Sequence, residues 1–305
     1  MLRIATNQLY YQAAKTMGER QTALAKVQQQ MATGNRLLTN SDDPVGSARL
    51  LGLNEELSRY DQYQRNTDLA NGRLNLEETV LEGTGEVLQR VRELTVQANN
   101  DTLNDSDRRD IATQIRQLHG ELVGLANTQD GNGEYLFAGF KSHTQPFVLD
   151  GNNQAIYQGD QGQRLIKAGP NLDVAVGDSG IDVFQVDSTD PAKGLFATLD
   201  KLASAMETPS AQFHQAMADG LAALDVGFDN LSGIRAKVGA RMNALEDQQN
   251  TNGDFAVHLQ QIIGEIGDLD YAEAATRLSR ETLVLQAAQQ SFVKIQGLSL
   301  FNYMR

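Results

Sequence analysis

Cysteine and tryptophan are absent from this 305-residue chain, proline occurs five times, and nowhere do about 18 apolar residues follow one another. The missing cysteines exclude a disulfide framework, a thiolate nucleophile, a zinc ribbon and an iron–sulfur cluster. The missing apolar run excludes a membrane-spanning helix. Aromatic residues make up only 6% of the chain, sparse for the core of a compact enzyme. Basic residues are the minority, 26 Lys and Arg against 39 Asp and Glu, for a formal charge of −13. Such a surface repels phosphate backbones and anionic lipid heads, so neither nucleic acid nor a membrane is expected as a partner. Residues 1–8 carry one early Arg. No apolar core of about 7–15 residues and no small-residue cleavage site follow, so no cleaved secretory signal is expected.

The few prolines are informative by position. Pro44, Pro146, Pro170, Pro191 and Pro209 leave 45–145 and 210–305 free of them. Both stretches are rich in Ala, Leu, Gln, Glu and Arg, as long helices require. Thr6 to Thr33 predicts a first helix with the stripe Leu9, Ala13, Met17, Leu24, Val27 and Met31, and with Gln28-Gln29-Gln30 beside it. Gly34-Asn35 offers a left-handed stop. Asp43 is the predicted N-cap of the next helix, with Pro44 at its first position. From there Leu50, Leu53, Leu57, Tyr60, Thr67, Leu74, Leu81, Leu88 and Thr95 advance in heptad-like steps to about Ala98, past Gly72, Gly83 and Gly85. That helix would be roughly 80 Å long at about 1.5 Å per residue. Asn104 and Asp107 form a predicted capping pair for a third helix, with Ile111, Ile115, Leu118, Leu122 and Leu125 on its apolar face. It ends at Asp130-Gly131-Asn132-Gly133, after which Tyr135-Leu136-Phe137 reads as a strand.

Between about Lys141 and Pro191 alternation replaces the helical period. Phe147-Val148-Leu149 and Ala155-Ile156-Tyr157, around Asp150-Gly151-Asn152-Asn153, predict a β-hairpin. Arg164-Leu165-Ile166, Val174-Ala175-Val176 and Ile181-Asp182-Val183-Phe184 predict further short strands. Near Gly194 the chain returns to helix and is predicted to stay helical, with a stripe of Leu221, Leu224, Phe228, Leu231, Ile234, Val238, Met242 and Leu245. The last segment repeats by sevens through Tyr271, Leu278, Leu285, Phe292 and Ser299, with a second seam at Ala275, Thr282, Gln289, Gln296 and Tyr303. Polar residues in a seam weaken a coiled coil but fix its register. The expected fold class is mainly α: an elongated antiparallel helical rod formed by both chain ends, with a small β-rich inserted domain. The expected divisions are an N-terminal assembly helix at 1–40, rod helices and a β-hairpin at 41–140, and the β-rich insertion at 141–193. Returning rod helices at 194–267 and a C-terminal assembly helix at 268–305 complete them.

No catalytic or metal-binding constellation accompanies this layout. His119, His143, His214 and His258 are far apart and show no His-Glu-x-x-His spacing. No Gly-x-Ser-x-Gly elbow occurs. Gly83-Thr84-Gly85 and Gly131-Asn132-Gly133 lack the further residues of a phosphate loop. Asp150 to Gln161 lacks the glycine and the acidic last ligand of a calcium loop, so a hairpin turn is expected there. Asp42-Asp43 reads as helix capping rather than as a ligand pair.

Several segments fall in a telling order. They are Gln30-Met31-Ala32-Thr33-Gly34-Asn35-Arg36 followed by Ser41-Asp42-Asp43-Pro44, then Leu88-Gln89-Arg90-Val91-Arg92-Glu93-Leu94, then 127–140. Asp268-Leu269-Asp270-Tyr271-Ala272-Glu273-Ala274 and the ending Leu298-Ser299-Leu300-Phe301-Asn302-Tyr303 complete the series. In these the sequence resembles the flagellin superfamily of bacterial flagella, over about 1–145 and 195–305, and the likeness fades in the β-rich stretch. Segments 127–140 and 298–303 are closer to the family's junction proteins than to its filament subunits. The resemblance implies a structural adaptor with no enzymatic role and no cofactor, assembled as a ring between the hook side and the flagellin filament. It further implies export unfolded through the flagellar type III channel and an escort by a cytoplasmic chaperone. The implied neighbours outside the cell are hook-associated protein 1, flagellin and further copies of the chain. A chain without cysteine, which no disulfide can lock before export, suits that route.

At 1–40 and 270–305 the apolar seams are sparse and rich in Gln and Asn, so these ends are expected to order by packing against neighbouring subunits, coupling binding to folding. The residues expected at the assembly interface are Ile4, Leu9, Met17, Leu24, Leu285, Phe292, Ile295, Leu300 and Phe301. Each would serve equally as an intramolecular coiled-coil core residue. The β-rich region is expected to face outward without a catalytic role. Two other readings stay open: a divergent flagellin that builds the filament itself, and a cytoplasmic coiled-coil adaptor or chaperone.

Overall fold

The computed structural model describes residues 2–151, 154–185, 193–208 and 210–301, and for residues 2–7, 9 and 295–301 it describes the helical backbone alone. Helix α1 (Leu2–Thr33) stops at Gly34, whose φ of 75° is a left-handed conformation that a Cβ would strain. Helix α2 (Pro44–Ala98) starts as the capping residues predict, with the Gly46 N–H donating to Asp43 Oδ1 at 2.9 Å. It runs for 55 residues straight through Gly72, Gly83 and Gly85. Gly83 and Gly85 pass beside Leu125 and Leu231, and the packing of neighbouring helices outweighs the low helix propensity of glycine.

Helix α3 (Asp105–Ala126) carries a reciprocal cap. The N–H groups of Ser106 and Asp107 donate to Asn104 Oδ1 at 2.8 and 3.0 Å, and the Asn104 N–H donates to Asp107 Oδ2 at 3.2 Å. An Asn104→Ala change is expected to cost about 1 kcal/mol, read as a lowered urea midpoint with an unchanged slope. Strand β1 (Phe147–Leu149) pairs antiparallel with β2 (Ala155–Tyr157), and β3 (Leu165–Gly169) with β4 (Leu172–Ala175), the second pair shifting register between Lys167 and Gly169. Then come α4 (Gly180–Phe184), α5 (Leu195–Glu207), α6 (Phe213–Gly267) and α7 (Tyr271–Phe301). The chain is mainly α, its long first and last helices pack together, and its strands are confined to the middle.

Three local expectations are corrected. Tyr135-Leu136-Phe137 forms no strand beyond a single bridge between Tyr135 and Gln129. Leu136, Phe137 and Ala138 are buried in succession, which an alternating strand cannot achieve, and Asp130 Oδ1 curls the segment by accepting the Asn132 and Glu134 N–H groups. Ile181–Phe184 is part of α4 rather than a strand: Ser179 caps it, and the adjacent Val183 and Phe184 are both buried. The helix after Gly194 is not continuous either. It ends at Glu207 and restarts at Phe213, whose N–H donates to Ser210 O, while Pro209 lies outside the described residues.

The chain forms two compact units, residues 1–59 with 255–305 (the terminal unit) and residues 60–254 (the central unit). In the central unit α2 and α6 run antiparallel, as the pairs Glu78–Arg235 and Asp68–Gln249 show. Arg116 joins α3 to α5 through Asp200 at 2.9 Å and Glu207 at 2.5 Å. Phe137, Phe147, Tyr157, Phe184 and Phe196 form one ring cluster with centroids 5.0–5.4 Å apart, so the strands share a core with α5. The predicted α6 stripe is the face that supplies Leu224, Leu231, Ile234, Val238 and Leu245 to the same core.

Candidate assembly interface

The terminal unit is held by its two outer helices and by the turns beside them. Tyr10 and Phe292 meet edge to face at 6.1 Å, Arg20 reaches Glu281 at 3.4 Å, and the Tyr271 hydroxyl donates to Met31 O at 3.3 Å. These contacts set α1 and α7 antiparallel. Ala13, Met17, Leu24, Val27 and Met31 face Leu278, Leu285 and Phe292 at heptad spacing, as the sequence stripes predict, but Tyr271 at the start of the predicted α7 seam is 54% exposed. The second α7 seam is corrected by one residue: Ala275, Thr282 and Gln289 are exposed, and Ala274, Glu281 and Ala288 take the inward positions. Ala274 and Ala288 let the helices approach, Glu281 meets Arg20 across the seam, and the Thr282 hydroxyl donates to Leu278 O on its own helix. Of the remaining residues in that predicted seam, Gln296 has no described side chain and Tyr303 lies outside the described residues.

The two turns clasp each other. The Arg36 N–H donates to Gly267 O at 2.7 Å, its guanidinium donates twice to Ile266 O at 3.0 and 2.8 Å, and the Leu269 N–H donates to Gly34 O at 2.9 Å. Arg36 thereby satisfies carbonyls left open at the end of α6. Gln30, from the glutamine triplet, is buried and donates to Arg36 O at 2.6 Å. Asp42 accepts from Lys26 at 2.5 Å and from the Leu38 and Thr39 N–H groups, and the lysine contact foremost holds its carboxyl below the usual range. Asp42 and Asp43 are thus committed to the turn and the helix start.

Met17, Leu24, Leu285 and Phe292 lie half-buried in the seam between α1 and α7. Ile4 and Leu9 on α1, and Ile295, Leu300 and Phe301 on α7, have side chains outside the described residues. Other residues of the terminal unit point outward and were not anticipated. Tyr11 is 79% exposed, Leu283 67% and Val293 65%, and Val45, Leu51 and Val257 are exposed as well. Leu283 sits on the side of α7 away from the seam, and Tyr11 on the side of α1 away from it. A groove of about 530 Å³ lies between the α1–α2 turn and the start of α2, lined by Leu37, Leu38, Pro44, Ala48, Leu50 and Leu51. Of the 40 apolar residues buried in the described chain, only Val27, Leu259 and Ala274 belong to the terminal unit. The signal for the outward set was present in the sequence as adjacent apolar residues: Tyr10-Tyr11, Leu283-Val284-Leu285 and Phe292-Val293 hold more apolar side chains than one seam accommodates.

Charge is divided as unevenly as burial. The terminal unit has 11 Lys and Arg against 10 Asp and Glu, whereas the central unit has 15 against 29. A near-neutral surface with exposed apolar side chains suits close approach of other chains, and a strongly acidic one resists it. Among the described residues no three His, Asp or Glu side chains group as a metal site. Burial pushes the His119 imidazole below its usual range, and its ring packs edge-on to Phe196.

The profile of the bacterial flagellin N-terminal helical region matches residues 4–142, and that of the C-terminal helical region matches 221–304. Flagellar hook-associated protein 3 of Escherichia coli (strain K12) is 30% identical, over 99% of this chain and 99% of that protein. The chain belongs to the flagellin family. Flagellar hook-associated protein 3 of Salmonella typhimurium is 28% identical over the whole of both chains. A crystal structure of flagellar hook-associated protein 3 from Legionella pneumophila shares the fold, with a TM-score of 0.63 and 21% identity over 70% of this chain and 98% of that one. The flagellin-family role is structural, in the flagellum. The flagellin profiles leave out 143–220, which contains the strands, α4 and α5. In the flagellin-like segment 88–94 the apolar members Leu88, Val91 and Leu94 are buried in the central core.

Proposed function

We propose that this flagellin-family chain is the junction adaptor of the flagellum, a ring of copies linking the hook side to the flagellin filament. Its neighbours in that position are hook-associated protein 1 on one side and flagellin on the other, and it acts as a structural part with no catalytic step. The observation that carries this reading is the terminal unit: among the described residues it buries three apolar side chains of its own and exposes several large ones, and its charge is close to neutral. A helix pair so poor in core gains its stability by docking on other chains, which couples ordering to assembly. The full-length likeness to proteins named flagellar hook-associated protein 3 supports the junction rather than the filament. Export through the flagellar type III apparatus with a chaperone escort completes the proposal, and the absence of cysteine is compatible with passage as an unfolded chain. The β-rich stretch serves as an appendage outside the assembly contacts.

Deleting the gene in its own bacterium tests the reading. The expected result is hooks without filaments by electron microscopy, with flagellin released into the medium. Cells that still carry filaments would sink the junction assignment. A filament-forming role, suggested by flagellins 22–25% identical over 94% of the chain, requires the purified protein to polymerise by itself.

A further inference from the structure

We propose that Glu77 is a proton-binding site: the buried network around it holds one carboxyl too many for its guanidinium groups, and the proton on Glu77 fastens segment 160–184 onto helices α2 and α6. The network lies wholly in the central unit. Arg73 of α2 donates to Asp130 at 2.9 Å and Glu134 at 2.8 Å. Arg164 grips Glu134 at 2.8 and 2.9 Å, and Arg241 of α6 grips Asp178 at 2.9 Å through both nitrogens. Gln163 adds a third hydrogen bond to Asp178 at 2.8 Å. Three guanidinium groups thus donate to Asp130, Glu134 and Asp178, the Nε of Arg73 being buried without a partner, and Glu77 remains as the fourth carboxyl.

Glu77 is 1% exposed. Its Oε1 accepts the Asp178 N–H at 3.0 Å, and its Oε2 meets no partner. The charged groups facing it are Arg73 on its own helix, Asp178 on the segment between β4 and α4, and Arg241 on α6. An ionised carboxylate buried beside a second one, with an oxygen left unpartnered, carries a large desolvation and repulsion cost, and a proton removes both. Burial first, and Asp178 second, push the Glu77 carboxyl up to about 7, against the pull of the Asp178 amide, Arg241 and Arg73. The Asp178 N–H that Glu77 accepts immediately precedes Ser179, the N-cap of α4, so the carboxyl anchors the turn that delivers α4 to the aromatic cluster. Ionisation sets a second negative charge against Asp178 and draws on the one guanidinium that holds it.

The sign follows from the two protonation equilibria. Folded protein keeps the proton up to about pH 7, whereas an unfolded chain releases it near 4.5. The proton's contribution to folding is therefore complete below pH 4.5, is lost as pH rises towards 7, and is gone above that. The gap corresponds to on the order of 300-fold in the folding equilibrium. The test compares the full chain with Glu77→Gln, which keeps the shape of the protonated carboxyl and does not titrate, in urea unfolding from pH 5 to pH 8.5. Relative to Glu77→Gln, the natural protein is expected to lose on the order of 100-fold in folding equilibrium across that range. Amides of 160–184 in the natural protein should exchange faster than those of Glu77→Gln at pH 8 and equally fast near pH 5. A difference between the two proteins that does not change with pH would overturn the proposal. Should Glu77→Gln fail to fold, carboxyl-carbon NMR of the natural protein decides: a Glu77 midpoint near 7 supports it and one near 4.5 refutes it.

Discussion

Arg241→Ala is expected to destabilise the central unit by about 3–5 kcal/mol, because it strips the cation from a buried carboxylate. Asp178 is 7% exposed and receives both Arg241 nitrogens at 2.9 Å. Without them its side chain keeps only the Gln163 amide and faces Glu77, another carboxyl. The exposed Arg90–Glu93 pair on α2 provides the contrast, since solvent screens it and its loss should cost well under 1 kcal/mol. Urea unfolding at pH 7 of the two alanine variants side by side makes the comparison. Equal losses from Arg241→Ala and Arg90→Ala would show that the Asp178 site is wetter than its burial indicates.

The second large effect concerns assembly rather than folding. The double change Leu283→Glu with Val293→Glu is expected to abolish filament attachment while leaving the melting temperature of the isolated chain nearly unchanged. Both side chains are two-thirds exposed, so charging them removes little packing within the chain. If they meet a neighbouring subunit, each carboxylate must instead be desolvated at an apolar contact, and every 1.4 kcal/mol lost there weakens the contact about tenfold. The seam variant Leu285→Glu is the control, since it should loosen α1 from α7 in the monomer and lower its thermal stability. Swimming in soft agar, filament counts by electron microscopy and flagellin in the medium report the outcome. Normal filaments in the double variant would move the assembly surface elsewhere on the terminal unit.

Much of the fold could be read directly from residue order, and the reasons are local. Asp43-Pro44 and the Asn104/Asp107 pair announce helix starts because a short polar side chain satisfies open N–H groups within three residues. Gly34 announces a stop because only glycine takes its left-handed backbone without strain. The hairpin at 147–157 and the apolar stripes of α1 and α6 follow equally from periodicity. The misread segments are those whose conformation depends on distant partners. Ile181–Phe184 alternates like a strand, yet Phe184 joins the ring cluster of Phe137, Phe147 and Phe196 while the adjacent Val183 is buried too, which a turn of helix allows and an alternating strand does not.

The sequence by itself determined a helical, cysteine-free, acidic chain with flagellin-like ends, since composition, capping and period are properties of neighbours along the chain. Only the tertiary structure decided which face of each terminal helix is spent inside the molecule. Leu285 and Leu283 are two residues apart and chemically alike, yet one packs against α1 and the other stands in solvent. The same holds for charge: the total of −13 is a matter of counting, but its concentration in residues 60–254 matters only once those residues are known to form a unit. Burial and pairing are properties of three-dimensional neighbours. The surplus carboxyl of Glu77 therefore stays invisible until Asp178 and Arg241, more than a hundred residues away, are folded against it.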